Sequence, residues 1–151
     1  MTGSAGDPRL SLDVARQALA AQPFSRLLGT RLAAFEPGSA TLELPLRDDF
    51  RQQHGHLHGG VLCYAADNAV TFAAGSVLGP AVLTGGVTIS YLRPAWGRLL
   101  RARASVVHAG RRQAVCRCDL LVVAEDPAPD DGTLVAVAQG TVLVSGQPTQ
   151  A

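Results

Sequence analysis

The chain has 151 residues, 47% of them hydrophobic, which fits one domain with a well-filled core and apolar surface to spare for an oligomer interface. A net charge of +1 gives no electrostatic reason to expect nucleic acid or an anionic membrane as a partner. All thirteen cationic residues are Arg, which excludes Schiff-base chemistry and the lysine of a phosphate-binding loop.

The N-terminal part of the chain is predicted to be helical. Residues 1–8 are expected to form a flexible N-terminus, and residues 9–147 a single domain. Apolar residues at helical spacing over 9–28 predict a helix and a short helical turn, which Gly29 ends.

A hairpin, a long helix and four strands are predicted to follow. Two short strands over 31–46 form the hairpin, and a polar loop covers 47–57. Residues 58–78 are apolar on nearly all sides and predict one long buried helix. Strand-like segments separated by Pro-, Gly- and Asp-containing turns predict an antiparallel meander over 81–93, 98–109, 112–124 and 133–145.

This order of elements predicts an α+β fold. A helix that is apolar on nearly all sides and lies against a single sheet leaves a second face to cover, so we expect a dimer that covers it. The N-terminus lacks the pattern of a signal peptide, and no uninterrupted apolar run approaches the length of a membrane span. A cytoplasmic protein with no membrane partner is therefore expected.

The cysteines and histidines do not predict a metal site. Cys63, Cys116 and Cys118 contain no CxxC pair and are interpreted as reduced core residues. Three histidines alternate over 54–58, which leaves zinc possible, but no closed set of acids or thiols accompanies them in sequence. We predict no metal and no cofactor.

One acidic side chain falls in the long apolar helix. Asp67 is the sole acid between positions 51 and 117, and a buried carboxylate is costly unless it has a partner. Tyr64, Asn68 and Thr71 form a polar stripe with it at helical spacing, which should face a cavity or an interface. A buried Asp that backbone amides or an Arg satisfy, with no catalytic role, is the alternative that this pattern leaves open.

The helix begins with His58-Gly59-Gly60, where open backbone N–H groups and the helix dipole favour a developing oxyanion. A glycine pair is also a common way to turn a chain. Gly59 and Asp67 are eight residues apart, about 12 Å along a helix, whereas one reacting carbonyl must lie within roughly 3 Å of both groups. If both act on one carbon, Gly59 of one subunit must face Asp67 of another.

Three motifs carry a resemblance to a known family. They are QQHGHLHGG over 52–60, Asp67 nine positions after His58, and GVTISYLRP over 86–94. In this order and spacing they resemble the hotdog-fold thioesterases of the phenylacetic-acid-degradation (PaaI) type, over roughly residues 24–145. The resemblance implies a hotdog fold, in which an antiparallel sheet wraps a long central helix. It also implies subunits that dimerise side by side and then form a tetramer.

The resemblance implies a role for each matching residue. Asp67 is the general base or nucleophile, and Gly59 is the amide donor to the thioester oxygen. Thr84 matches the Ser or Thr that helps to place the attacking water. His58 is expected to organise the helix start rather than to carry a proton.

Other positions bear on the substrate. Gln52 and Thr71 complete the implied catalytic residues. Many relatives have Asn at the position of Gln52, whereas related hydroxybenzoyl-CoA thioesterases have Gln there, and Thr71 matches the same group, which leaves an aryl-CoA substrate open. Gly86 departs from relatives that often have a side chain there. Four arginines lie close to strand turns, where they can meet the phosphates of coenzyme A, although solvated surface charge is the alternative for each: Arg93, Arg98, Arg111 and Arg112. Arg93, Arg111 and Arg112 are the preferred candidates. Gly60, Tyr64 and Asn68 complete the predicted substrate contacts.

The implied activity is hydrolysis of an acyl-CoA or aryl-CoA to the free acid and coenzyme A by a homo-oligomer. A thioester is already activated, so a carboxylate and an oriented N–H donor suffice without metal or serine. No GxSxG motif occurs in the chain. A module that binds acyl-CoA or an acyl carrier protein without turnover is the alternative. A lyase or dehydratase would need a catalytic His paired with an acid in a different motif, which the chain lacks.

Overall fold

The computed structural model describes residues 11–126 and 130–146. The expected flexible segment 1–8 lies outside these residues. Within them the chain folds into three α-helices and six β-strands. The helices are α1 (Leu12–Ala20), α2 (Pro23–Leu28) and α3 (Gly59–Leu78). The strands are β1 (Arg31–Glu36), β2 (Ser39–Pro45), β3 (Val82–Tyr91), β4 (Leu99–Ala109), β5 (Gln113–Val123) and β6 (Thr133–Val144).

Local signals fix the two short helices. The Ser11 side chain caps α1 by accepting from the N–H of Val14 at 3.2 Å. Pro23 stands in the first turn of α2, and Gly29 ends that helix with a φ of 79°, a left-handed conformation that glycine adopts without strain. The prediction of a helix and a helical turn before Gly29 is confirmed.

The six strands form one antiparallel sheet in the order β1-β2-β4-β5-β6-β3. The predicted hairpin of β1 and β2 is confirmed, and β4, β5 and β6 form a meander. The prediction that β3 begins this meander is wrong, because β3 pairs with β6 at the far edge of the sheet.

The connection over 92–98 explains why β3 lies at the edge of the sheet and not beside β4. The N–H of Leu92 donates to the carbonyl of Val135 in β6, and the N–H of Arg98 donates to that of Val123 in β5. The segment therefore crosses the ends of β6 and β5, three strand spacings or about 14 Å, to deliver the chain to β4. A tight turn could not span that width.

Helix α3 lies across one face of the sheet and buries a row of small residues against it. Its buried residues are Leu62, Ala65, Ala66, Ala69, Val70, Ala73, Ala74 and Ser76. By length and composition alone α3 could cross a membrane, but its packing against the sheet accounts for this apolar composition. One side of α3 is open in the single chain, which agrees with the expectation that a single sheet leaves a second face of the helix to cover. A long helix wrapped by an antiparallel sheet is the predicted hotdog arrangement, which is confirmed.

Candidate active site

The start of α3 leaves one backbone amide open. His58 is the N-cap residue, and its Nδ1 accepts from the N–H of Gly60 at 2.9 Å. The N–H of Val61 donates to the carbonyl of His58 at 3.0 Å. The amide of Gly59, in contrast, has no hydrogen-bond partner within the residues that the structure describes. Gly59 therefore presents an unpaired donor at the positive end of the helix dipole.

The cap also explains the second glycine. A Cβ added to Gly60 would lie 2.9 Å from Nδ1 of His58, so a side chain there would displace the imidazole that caps the helix. His58 thus caps the helix start through its imidazole. The amide of Gly60 is already engaged, which leaves Gly59 as the better placed donor.

Tyr91, at the end of β3, holds Gly59 in place. Its hydroxyl donates to the carbonyl of Gly59 at 2.9 Å, and a Cβ on Gly59 would come within 3.3 Å of the Tyr91 ring. Burial, with a smaller contribution from Cys63, raises the pKa of Tyr91, so the phenol remains a donor well into the alkaline range. The YLRP motif contains Tyr91, but its contact with Gly59 could not be read from the sequence.

Asp67 lies on the open side of α3 and is exposed in the single chain, so the expectation of a buried carboxylate is wrong. Its Oδ1 accepts from the hydroxyl of Thr84 at 2.6 Å. The Thr71 hydroxyl lies 2.8 Å from that of Thr84 and also donates to the carbonyl of Asp67 at 2.8 Å. With Thr84 donating to the carboxylate, Oδ2 is left without a partner among the described residues and is open to water.

A β-bulge at Gly85 brings both ends of β3 to the helix. The register of β3 against β6 shifts between Thr84 and Gly86. Side chains alternate along a strand, so Thr84 and Tyr91, seven positions apart, would otherwise point to opposite faces of the sheet. The extra residue of the bulge brings both side chains to the same face of the sheet. Thr84 then contacts Asp67, and Tyr91 contacts Gly59.

The remaining members of the polar stripe turn towards α2. The hydroxyl of Tyr64 lies 2.6 Å from that of Ser25 and 2.8 Å from that of Thr30. The Asn68 amide donates to Gln22 at 3.1 Å and to Ser25 at 3.2 Å. These contacts fix α2 against α3. A shallow cavity of about 130 Å³ lies beside them, with Asp67 and Thr71 also in its wall.

Gln52 lies in the loop before α3. Its Oε1 accepts from the N–H of His54 at 2.5 Å and from that of His56 at 3.3 Å. A bridge between Arg51 and Leu57 closes this loop. The structure therefore places Gln52 at the Gly59 end of α3.

The candidate arginines fall into two groups, all exposed. Arg93 and Arg98 lie on the connection from β3 to β4, whereas Arg111 and Arg112 lie on the turn from β4 to β5. The length of β4, about 33 Å, separates the two groups. A single chain does not bring them together around one ligand. Among the described residues, no group of three or more His, Cys, Asp or Glu side chains is placed to hold a metal ion.

Comparison with known proteins gives matches at three levels. The sequence model of the family described as the thioesterase superfamily matches residues 54–125. A putative esterase of Halobacterium salinarum is 33% identical over 124 residues, which cover 78% of this chain and 81% of that protein. The acyl-coenzyme A thioesterase PaaI of Escherichia coli is 32% identical over 92 residues, covering 60% of this chain and 65% of that protein. A solved thioesterase family protein from Silicibacter pomeroyi superposes with a TM-score of 0.79 at 30% identity, over 86% of this chain and 94% of that chain.

The fold and the matches together define a hotdog-fold protein of the thioester hydrolase class. The chain belongs to the thioesterase superfamily. The resemblance read from HGG, Asp67 and the YLRP strand end is thereby confirmed. The matches assign no role to a single residue, so the roles given to Asp67, Gly59 and their neighbours stay predictions.

Proposed function

We propose that the protein hydrolyses acyl-CoA thioesters, with Asp67 of one subunit and Gly59 of its partner acting on the same carbonyl. The observation that carries the proposal is that α3 presents an accessible carboxylate and an unpaired amide. An open carboxylate stands on its side, and a single unpaired amide stands at its start. These are the two groups that thioester hydrolysis needs.

In the proposed reaction the thioester oxygen accepts from the N–H of Gly59. The Asp67 carboxylate removes a proton from a water molecule as the water oxygen bonds to the acyl carbon. The tetrahedral intermediate then collapses, the C–S bond breaks, and the thiolate takes the proton back from Asp67. Thr84 orients the carboxylate through its hydrogen bond. Direct attack by Asp67 would instead form a mixed anhydride and release the thiolate. Hydrolysis of the anhydride at the Asp67 carbonyl would then leave labelled oxygen in the enzyme after a single turnover in labelled water.

The edge of the sheet supports a shared site. β3 is a ten-residue edge strand whose outer side pairs with no other described strand. Edge strands are natural sites for pairing with a second copy. Thr84 near the start of β3 touches Asp67, and Tyr91 at its end touches Gly59. Antiparallel pairing of β3 with its own copy would set the start of one strand beside the end of the other. Asp67 would then face the partner's Gly59.

The same pairing would assemble a site for coenzyme A. Arg93 lies just beyond the end of β3. Arg112 lies at the opposite end of the sheet, where β3 starts, because its carbonyl accepts from the N–H of Val144, the residue that pairs with Val82. Two subunits related by an antiparallel β3 pair would place Arg93 of one subunit at the end of the sheet that contains Arg112 of the other. Guanidinium groups suit phosphate, so this end of the shared site is the proposed place for the coenzyme.

Release of free thiol from a panel of acyl-CoAs and aryl-CoAs tests the proposal. Asp67→Asn is expected to lower kcat by at least about a hundredfold, since the variant cannot accept the proton of water. The matched control is Asp119→Asn, which changes an exposed Asp on the outer face of the sheet and should keep full activity. Unchanged turnover in Asp67→Asn would exclude the mechanism. Tight binding of the panel without thiol release from the wild type would instead identify a binding module.

A further inference from the structure

A second cavity, of about 210 Å³, lies between α1 and α3 beside the proposed reacting centre. Its walls are apolar apart from Gln22 and Thr71, and Ala18 of α1 and Phe72 of α3 are among the residues that line it. The rings of Phe72 and Phe35, which also lines the cavity, pack edge to face with their centroids 6.4 Å apart. This is a preformed apolar groove with polar groups at one end.

The groove adjoins the shallow cavity that contains the carboxylate. Thr71 stands in the wall of both this groove and the shallow cavity that contains Asp67. Asp67, Thr71 and Gly75 occupy positions i, i+4 and i+8 and therefore lie in one row along α3. The row covers about 12 Å from the carboxylate to Gly75. Gly75 has no side chain, so the helix surface stays open at the far end of the row.

We infer that this groove holds the acyl group and that it selects compact apolar acids. An engineered cavity of about 150 Å³ accommodates benzene, so the volume of this groove suits one aromatic ring with a short side chain or a medium-length aliphatic chain. Binding energy grows with each buried methylene until the groove is full. Longer chains gain no further contact. The inference rests on the proposed function and names the substrate class for that site.

Two substitutions narrow the groove without touching the proposed catalytic groups. A Cβ on Gly75 would meet Cγ2 of Val82 at 3.7 Å, an ordinary contact, and a non-glycine residue also favours the helix. Gly75→Leu should therefore fold and fill the end of the groove. Ala18→Leu fills it from the α1 side. Ala20→Leu is the matched control, since Ala20 is an exposed alanine of the same helix that does not line the groove.

The measurement is kcat/KM for acetyl-, butyryl-, hexanoyl-, octanoyl-, dodecanoyl-, palmitoyl- and benzoyl-CoA. In the wild type, kcat/KM should rise with chain length up to about octanoyl and then level, because the groove is full. Gly75→Leu and Ala18→Leu should lower kcat/KM for octanoyl- and benzoyl-CoA by about tenfold or more while acetyl-CoA changes little. Ala20→Leu should match the wild type.

The outcomes separate the two proposals. A wild type that hydrolyses no thioester refutes the proposed function. An active wild type whose kcat/KM keeps rising with chain length up to palmitoyl-CoA overturns the groove assignment alone. The same holds if Gly75→Leu and Ala18→Leu, folded by circular dichroism, keep the wild-type chain-length profile.

Discussion

Thr84 contacts the proposed catalytic carboxylate through its hydroxyl, at 2.6 Å from Oδ1 of Asp67. Thr84→Val keeps the shape of the side chain and removes this donor. Hydrogen bonds to charged groups contribute about 1.5–3 kcal/mol, so we expect kcat to fall roughly ten- to hundredfold. Thr84→Ser keeps the hydroxyl and should retain most of the activity. Steady-state kinetics with a melting curve for each variant checks the effect, and equal kcat for the Val and Ser variants would contradict it.

Two buried thiols give the protein a defined response to alkaline pH. Burial raises the pKa of Cys116 to about 11 and, with a smaller contribution from Asp119, that of Cys118 to about 12, whereas the unfolded thiols titrate near 9.0. The folded state therefore binds protons that the unfolded state has lost, and the free energy of unfolding should fall as pH rises from about 8 to about 11. Urea unfolding across this range measures the decline. The Cys116→Ala/Cys118→Ala variant should show a shallower decline, and parallel curves would refute this account.

The open side of α3 shows what residue patterns could not decide. Asp67 was identified because it is the one acid in a long apolar stretch, and its neighbours at helical spacing were expected to face a cavity or an interface. Small apolar residues occur on all sides of the helix, so the pattern cannot show which side the sheet covers. The contacts of Tyr64 and Asn68 with Ser25 depend on where α2 packs, which the spacing within α3 does not encode.

At the scale of elements, α3 and the sheet approach closely at one point. A Cβ on Gly140 of β6 would lie 2.8 Å from Cγ2 of the fully buried Val70. Gly140→Ala should therefore lower the free energy of unfolding by about 1–3 kcal/mol through overpacking. Val70→Ala removes the obstructing atoms, so the double variant should lose less than the sum of the single variants. Urea unfolding of the wild type, the two single variants and the double variant measures this coupling. Strictly additive changes in the free energy of unfolding would contradict the contact.

Element boundaries were predictable because each depends on a short stretch of chain. The helix predicted over 58–78 runs from Gly59 to Leu78, and the predicted strands shift by one or two residues. Strand order was predictable where strands consecutive in the chain pair with each other, as at the Pro37-Gly38 hairpin and from β4 to β6. The place of β3 depends on the path of 92–98 over the sheet, and the bulge at Gly85 depends on pairing with β6. Neither is encoded in periodicity.

At the scale of the whole molecule, the chain has complementary halves of the proposed site at opposite ends of β3. Gly59 and Arg93 lie towards the end of the strand, and Asp67 and Arg112 towards its start. A two-fold partner joined along β3 would turn these halves into two equal sites. This arrangement gives a physical reason for the open side of α3, since the partner would cover it.

The shared site can be tested by removing one group from each subunit. Gly59→Pro deletes the amide proton at a helix position where proline is favoured, and His58, with φ of −62° and ψ of 132°, already has the extended backbone that precedes proline. Gly59→Ala is the control, because it introduces the same crowding against Tyr91 but keeps the N–H. Gly59→Pro alone should lose most activity, whereas Gly59→Ala should lose less.

Mixing the two inactive variants then separates a shared site from a self-contained one. In a heterodimer of Asp67→Asn and Gly59→Pro, one site would combine both damaged groups and the other would combine an intact Asp67 with an intact Gly59. Co-refolding equal amounts should therefore restore roughly a quarter of the wild-type activity, since half of the dimers are mixed and each has one working site. If both groups acted within one chain, every site would stay damaged and thiol release would remain at the level of the separate variants.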